Sequence, residues 1–214
     1  RITELCSRKN ALVIGPGLSL NPETARLIQR MIRNTDLPAV IDADGLNALV
    51  GKIASIKKKR KGLILTPHPG EMARLLGTSV QEIQKNRIQV ARNFAQENGL
   101  ILVLKGARSI VASPEGNIFI NPTGNPGMAS GGMGDVLTGM VGGFLAQGLP
   151  PLEAAKLGVY LHGLVGDFVA YQKGERGIAA TDVVEETPRV LRALSAGSDQ
   201  IGNFSFPLRM EVSY

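Results

Sequence analysis

The chain has 214 residues, 43% hydrophobic, 20% charged and 4% aromatic, which suits one domain with a self-sufficient core; its 26 glycines and 12 prolines follow no collagen-like or low-complexity period. A single cysteine, Cys6, excludes an internal disulfide framework and points to a reducing compartment, the cytoplasm, and with two histidines it leaves too few ligands for the usual structural zinc site. The formal charge of +6 is concentrated in Lys57, Lys58, Lys59, Arg60 and Lys61, without which the balance falls to one positive charge; no aromatic residue interleaves with them, so a solvated helix end is favoured over a nucleic-acid site.

Residues 10–14 form a short apolar run closed by Gly15-Pro16-Gly17, a strand entering a loop. Asn21-Pro22-Glu23 supplies a capping side chain, a first-turn proline and an acid, and opens a helix in which Ala25, Leu27, Ile28, Met31 and Ile32 recur at helical spacing. Residues 38–41 predict a second strand ending at Asp42-Ala43-Asp44-Gly45, and 62–65 a third ending at Thr66-Pro67-His68-Pro69-Gly70-Glu71. A helix continues from there through Leu76, and another is predicted over 81–98, closed by Gly99. Residues 100–104 predict a fourth strand ending at Lys105-Gly106, and 110–112 with 117–120 read as a hairpin. Helices follow over 135–147, after a glycine-rich loop, and over 152–171, which is apolar enough to be well buried. Thr181-Asp182 caps a last helix through Leu194, and residues 195–214 break the rhythm as a tail of no predicted element. No apolar run approaches the ~20 residues that span a bilayer, and the start of the chain shows no signal-peptide pattern.

Strands alternating with helices predict an α/β domain with a largely parallel sheet. The polar and glycine-rich residues gather where strands end, the edge at which such sheets bind ligands.

The strongest chemical signal is the loop from Asn121 to Asp135. Its glycines expose backbone N–H groups at the start of a helix, whose dipole adds partial positive charge, and together these make an anion site. Asp135 lies in the first turn beside it. It either complements the helix dipole or accepts a proton from a substrate hydroxyl attacking phosphorus. No Lys-Ser or Lys-Thr follows, so this is not a P-loop, and Leu137 stands where a dinucleotide fingerprint needs its third glycine.

His68 between two prolines is held stiffly, which suits recognition at a strand end as well as a plain surface turn; Glu71 could orient a ligand or a metal-bound water, or simply begin a helix. Asp42 and Asp44, with Asn47 nearby, suit magnesium or a polar substrate, or helix capping. A calcium loop is excluded by Leu46, which stands where another ligand is required. Lys105 or Arg108 could contact a nucleotide phosphate or sit in an exposed turn. His162 and Asp167, in a long apolar helix, are expected to be satisfied core residues.

Together Val13-Ile14-Gly15-Pro16-Gly17-Leu18, Val40-Ile41-Asp42-Ala43-Asp44-Gly45-Leu46-Asn47, Leu65-Thr66-Pro67-His68-Pro69-Gly70-Glu71-Met72, Lys105-Gly106, the loop from Asn125 to Asp135 and Leu161-His162-Gly163 resemble the nucleotide-dependent NAD(P)H-hydrate dehydratases of the ribokinase-like superfamily. The resemblance runs over residues 10–194. It implies a three-layer ribokinase-like domain over residues 1–194, short of the strand, glycine-rich turn and helix with which the family's domain opens. The implied reaction is repair: NADH or NADPH hydrated on the nicotinamide ring is phosphorylated on the added hydroxyl by ADP or ATP, and loss of phosphate restores the cofactor. Magnesium would bridge the phosphates. Gly17, His68, Pro69, Gly70, Glu71, Met72, Ala73 and Arg74 would contact the hydrated cofactor. Lys105, Gly106, Ala107, Arg108 and Ser109 would hold the nucleotide, with Asn125, Pro126, Gly127, Met128, Ala129, Ser130, Gly131, Gly132, Met133 and Gly134. Asp135 would be the base, also touching the substrate hydroxyl. The form of residues 125–130 resembles bacterial and archaeal members, which tend to use ADP. The family implies a homo-oligomer, with neither nucleic acid nor membrane as partner.

Two alternatives share these features. One is a small-molecule kinase of the same superfamily, acting on a vitamin precursor or sugar, against which the His68 segment argues. The other is a non-catalytic nucleotide-binding relative.

Overall fold

The computed structural model describes residues 2–56 and 62–196. The basic run at 57–61 and the tail beyond 196 lie outside the described residues. A short helix α1 (Ile2–Cys6) precedes strand β1 (Leu12–Ile14), helix α2 (Pro22–Asn34), β2 (Ala39–Ile41), α3 (Ala43–Asn47) and β3 (Leu63–Leu65). Helices α4 (Pro69–Leu76), α5 (Val80–Lys85) and α6 (Arg87–Asn98) lead to β4 (Ile101–Leu104), β5 (Ile110–Ala112) and β6 (Ile118–Ile120). Three helices, α7 (Met133–Ala146), α8 (Pro151–Lys173) and α9 (Ala180–Ser195), complete the described chain.

The six strands form one sheet in chain order, β1 to β6. The first four are parallel, and β5 and β6 add an antiparallel meander. The expectation of an α/β domain with a mostly parallel sheet is met. Alternation along the strands assigns the two faces. Ile14, Ala39, Ile41, Leu63, Leu65, Leu102, Leu104, Ile110 and Ala112 pack on one side with Ile28, Ile32, Leu46, Met72, Ile83 and Phe94 from α2 to α6. Val40, Ile64, Ile101, Val103 and Val111 pack on the other with Leu137, Val141 and Leu145 of α7 and Ala154, Ala155 and Val159 of α8. Burial on both faces explains why these strands read as continuous apolar runs. Farther along α8, Leu161, Val165, Phe168 and Val169 pack with Met133, Ile178, Val183 and Val190 to hold α9.

Three local expectations are corrected. The helix predicted over 81–98 is two helices, because Asn86 leaves the helical region at φ −129°, ψ 34°. Residues 43–47 form the helix that the capping alternative requires, but the Asp42 side chain at its N-cap position makes no capping bond. The last helix is capped from Ala179, and Asp182 closes the cap from its third position by accepting the Ala179 N–H at 2.9 Å. Among the described residues no helix is long and apolar enough to cross a membrane.

Candidate active site

Because β1 to β4 are parallel, their C-terminal ends open on one edge, and the chain places its charged residues there. Asp42 follows β2 at the N-cap position of α3, yet its carboxylate makes no capping bond. It is 1% exposed and reaches into the sheet edge instead: Lys105 Nζ donates to Oδ1 at 2.7 Å and Thr138 Oγ1 to Oδ2 at 2.8 Å. Lys105 follows β4, and its ammonium also lies 3.7 Å from Glu71 Oε2. One lysine thus holds two buried carboxylates. The pairing offsets part of the cost of taking both carboxylates out of water. Gly15 permits the closeness of β1 to this point. Its φ is +145°, and a Cβ there would fall 1.7 Å from the Asp42 carbonyl oxygen.

His68 is fixed by more than its flanking prolines. Its Nδ1 accepts the N–H groups of Gly70 and Glu71 at 3.0 and 3.4 Å, which makes it the cap of α4. Glu71 Oε2 returns the bond by accepting the His68 N–H at 2.7 Å. Nδ1 therefore carries no proton, and Nε2 faces Glu71 Oε1 at 3.6 Å. Pro69 and Gly70 form the half-buried first turn, whereas Met72 and Ala73 turn inward and belong to the core. Arg74 Nε donates to Asn47 Oδ1 at 3.1 Å, Asn47 approaches Asp44, and Asp44 Oδ2 accepts the Ser19 N–H at 2.8 Å. This chain ties α4 and α3 to the loop that carries Gly17, which is exposed with open space beside it.

The glycine-rich loop meets the same edge from the other layer. Gly134 sits so that a Cβ would lie 3.3 Å from Lys105 Nζ and 3.6 Å from Asp42 Oδ2. Asp135 follows it in the first turn of α7, exposed, and among the described residues no hydrogen bond or ion pair engages its carboxylate. The loop itself is braced by α8. Asp167 accepts the Gly124 N–H and the Asn125 side-chain amide, both at 2.9 Å. Gly163 lets the helix approach so closely that a Cβ would fall 2.3 Å from Thr123 Oγ1. Asn125 caps the following turn by accepting the Gly127 N–H at 3.0 Å, and Ser130 Oγ donates to the Ile178 carbonyl at 3.2 Å. Asp167 is therefore satisfied as expected, but by the loop rather than by the core. His162 is half-buried in α8, with its Nε2 atom out of contact with solvent. Burial lowers its pKa to about 4, a hydrogen bond with the Met133 backbone opposes that shift, and the nearby Lys105 charge adds to it. Its Nε2 has no partner among the described residues, so the expectation of a satisfied core histidine is only half met.

The turn after β4 is also held from outside. Arg87, at the start of α6, donates to the Ala107 carbonyl at 2.6 Å and to those of Leu104 and Lys105 at 3.4 Å. Arg108, at φ +56°, donates to the Pro122 carbonyl at 2.6 Å and so joins this turn to the glycine-rich loop, while Ser109 closes the turn onto the Gly106 carbonyl. Thr138 and Arg87 escape sequence reading. A polar residue one turn after Asp135 on an apolar helix marks the first, and Asn86 interrupting a helical stretch marks the second.

Among the described residues no three His, Cys, Asp or Glu side chains gather into a metal cage. The carboxylates of Asp42 and Glu71 are the acidic groups that meet Lys105 at this edge.

A family model described as NAD(P)H-hydrate dehydratase matches residues 1–189. The chain belongs to this family. It is 49% identical over 193 residues to the bifunctional NAD(P)H-hydrate repair enzyme Nnr of Moorella thermoacetica, covering 90% of this chain and 36% of that protein. It superposes with a TM-score of 0.76 and 36% identity on the Bacillus subtilis ADP/ATP-dependent NAD(P)H-hydrate dehydratase co-crystallised with ATP/Mg2+ and soaked with CoA, over 86% of this chain and 66% of that one. An Enterococcus faecalis ribokinase-like superfamily protein superposes at 0.78 with 27% identity, over 89% and 66% of the two chains. The chain thus spans about a third of the curated Moorella relative and about two thirds of the solved ones. The fold of this dehydratase-family chain is ribokinase-like, and the family resemblance read from the motifs holds.

Proposed function

We propose that this chain carries the nucleotide-dependent dehydration of hydrated NADH or NADPH, with ADP or ATP as phosphoryl donor. The observation that supports this reading is the placement of an unpaired Asp135 carboxylate at the junction of a glycine-rich helix start with the Lys105–Asp42–Glu71 cluster. The first half of the reaction needs a base for a hydroxyl, an anion cradle for the donor and positive charge beside both, and all three occur within this edge.

The substrate enters over the β1–α2 loop and the start of α4, where Gly17, His68, Pro69, Gly70 and Arg74 present exposed or half-exposed surface. Asp135 accepts the proton of the added hydroxyl, whose oxygen bonds to the terminal phosphorus of the donor. The bond from that phosphorus to the bridging oxygen breaks, and AMP leaves when the donor is ADP. The carbon–oxygen bond of the phosphate ester then breaks, inorganic phosphate departs, and loss of a ring proton restores the dihydropyridine. The backbone N–H groups around residues 131–134 receive the phosphoryl oxygens, and the turn at 105–109 with the loop at 125–130 orients the nucleotide. Glu71, with Asp42 behind it, would hold magnesium against the donor's phosphates, where the ion neutralises charge on the transferred group. The chain acts within a homo-oligomer in the cytoplasm.

The test incubates the chain with hydrated NADH, magnesium and either ADP or ATP, following reduced cofactor by absorbance and phosphate by release. Recovery of NADH that requires one nucleotide is expected and identifies the donor. A stable phosphate ester without NADH recovery overturns the reading in favour of a small-molecule kinase. Nucleotide binding without turnover overturns it in favour of a binding-only relative.

A further inference from the structure

Arg87 enters no step of the mechanism above, yet its guanidinium braces the turn that orients the nucleotide. Nη1 donates to the Ala107 carbonyl at 2.6 Å, and Nη2 to those of Leu104 and Lys105 at 3.4 Å. Ser109 Oγ donates to the Gly106 carbonyl between them at 3.1 Å. The carbonyls of residues 104–107 are thus all engaged by side chains. The N–H groups of Gly106, Ala107 and Arg108 are not: among the described residues none of them donates a hydrogen bond. These three residues are exposed, so a ligand can reach them. The turn is not one that the chain adopts freely, since Arg108 stands at φ +56°. The guanidinium lies directly against it, and a Cβ at Gly106 would fall 3.0 Å from Nη2. Arg87 is a costly brace. It is half-buried, burial lowers its pKa, and its Nε is out of solvent without a partner. Among the described residues no carboxylate pairs with it. An apolar side chain would avoid that desolvation, whereas only a planar fork of donors reaches three carbonyls of one turn in fixed directions.

We propose that Arg87 is a positioning residue for the nucleotide: by holding the carbonyls of residues 104, 105 and 107, it sets the turn so that the N–H groups of residues 106–108 are left for the donor's phosphates. The inference rests on the nucleotide-dependent reading above. A second arginine on the same helix supplies the comparison. Arg92 Nε donates to the Gly116 carbonyl at 3.2 Å and so braces the connection between β5 and β6, to which the mechanism gives no part.

The test compares Arg87→Met, Arg87→Lys and the control Arg92→Met in the full chain by ADP–magnesium calorimetry, thermal melting and the coupled assay. Met removes every donor, Lys keeps the charge without the fork, and Arg92→Met removes a like brace from another turn. Arg87→Met should bind ADP about tenfold more weakly, the scale of one lost hydrogen bond. The nucleotide KM should rise with that loss, while kcat and the KM for hydrated NADH change little. Arg87→Lys should stay at least about threefold weaker than wild type. Arg92→Met should keep wild-type affinity even where its melting temperature falls. Wild-type affinity in Arg87→Met overturns the proposal. Full rescue by Lys also overturns it, because charge alone would then suffice, and so does equal weakening by Arg92→Met, which marks a general loss of stability. If Arg87→Met fails to fold, the other two variants decide: a weak Arg87→Lys beside a tight Arg92→Met supports the proposal, and any other pattern overturns it. Failure of the wild type to bind either nucleotide overturns the functional reading as well, whereas wild-type binding with unaffected Arg87 variants overturns this proposal alone.

Discussion

Lys105 and Asp42 meet at 2.7 Å although their strands, β4 and β2, are not neighbours. The lysine crosses the end of β3, and its ammonium passes within 3.7 Å of Glu71, which lies in the helix after that strand. One side chain thereby ties three consecutive parallel strands together at their C-terminal edge.

Removing that cation should be costly. Lys105→Met leaves two carboxylates facing each other at low exposure, and we expect a loss of about 3 kcal/mol in stability, the usual scale for breaking a buried pair. Asp42→Asn in the same chain should recover part of it. Urea denaturation of the single and double variants measures both, and a Lys105→Met variant as stable as wild type would show that the edge is solvated.

Asp135→Asn should fold and bind nucleotide normally, because among the described residues no hydrogen bond or ion pair depends on the carboxylate. Turnover of hydrated cofactor should fall by at least ~10²-fold, the scale of a lost general base. Near-normal turnover in the coupled assay would remove Asp135 from the base role.

Asp167→Ala releases the Gly124 N–H and the Asn125 amide from α8. The nucleotide Kd should rise about tenfold while the melting temperature shifts little, since the loop is half exposed and its core contacts remain. Calorimetry and thermal melting on one sample give both numbers, and an unchanged Kd would mean that the loop is set by Gly163 packing alone.

The His162 ring stays neutral to about pH 4 in the folded protein, whereas its unfolded-state pKa is near 6.5. The unfolded chain therefore binds the extra proton between these values. Stability from this group is intact above pH 6.5, declines as pH falls, and levels off below about 4. The loss amounts to about 3 kcal/mol by linkage. Comparing wild type with His162→Leu by denaturation at pH 7 and pH 4.5 should show a smaller pH loss in the variant. Parallel losses would mean that other groups carry the acid sensitivity.

Much of this was legible in the sequence because the strands announce themselves. Residues buried on both sheet faces leave short apolar runs, each ended by glycine or a charged residue, so four of the strand ends and the loop to Asp135 could be placed before any coordinates. What stayed hidden is long-range. That Asp42 pairs with Lys105 rather than capping α3, and that Thr138 joins it 96 residues away, depends on α7 docking over the sheet. Local spacing carries no trace of that. The break at Asn86 was missed for a similar reason. Asn86, a weak helix former, is the one local hint of it, and Arg87 just beyond the break reaches the turn after β4.

The sheet's strict chain order has a consequence for how the molecule assembles. Each strand joins one already laid down, so the sheet can grow by accretion at a single advancing edge, across a helical crossover between each parallel pair and tight hairpins only at the end. The charged edge closes later, since Asp42 waits for Thr138 and the glycine-rich loop waits for Asp167 of α8. A chain emerging in order can therefore pack the first layer of its sheet before the residues of the charged edge have met, because α7 and α8 follow every strand.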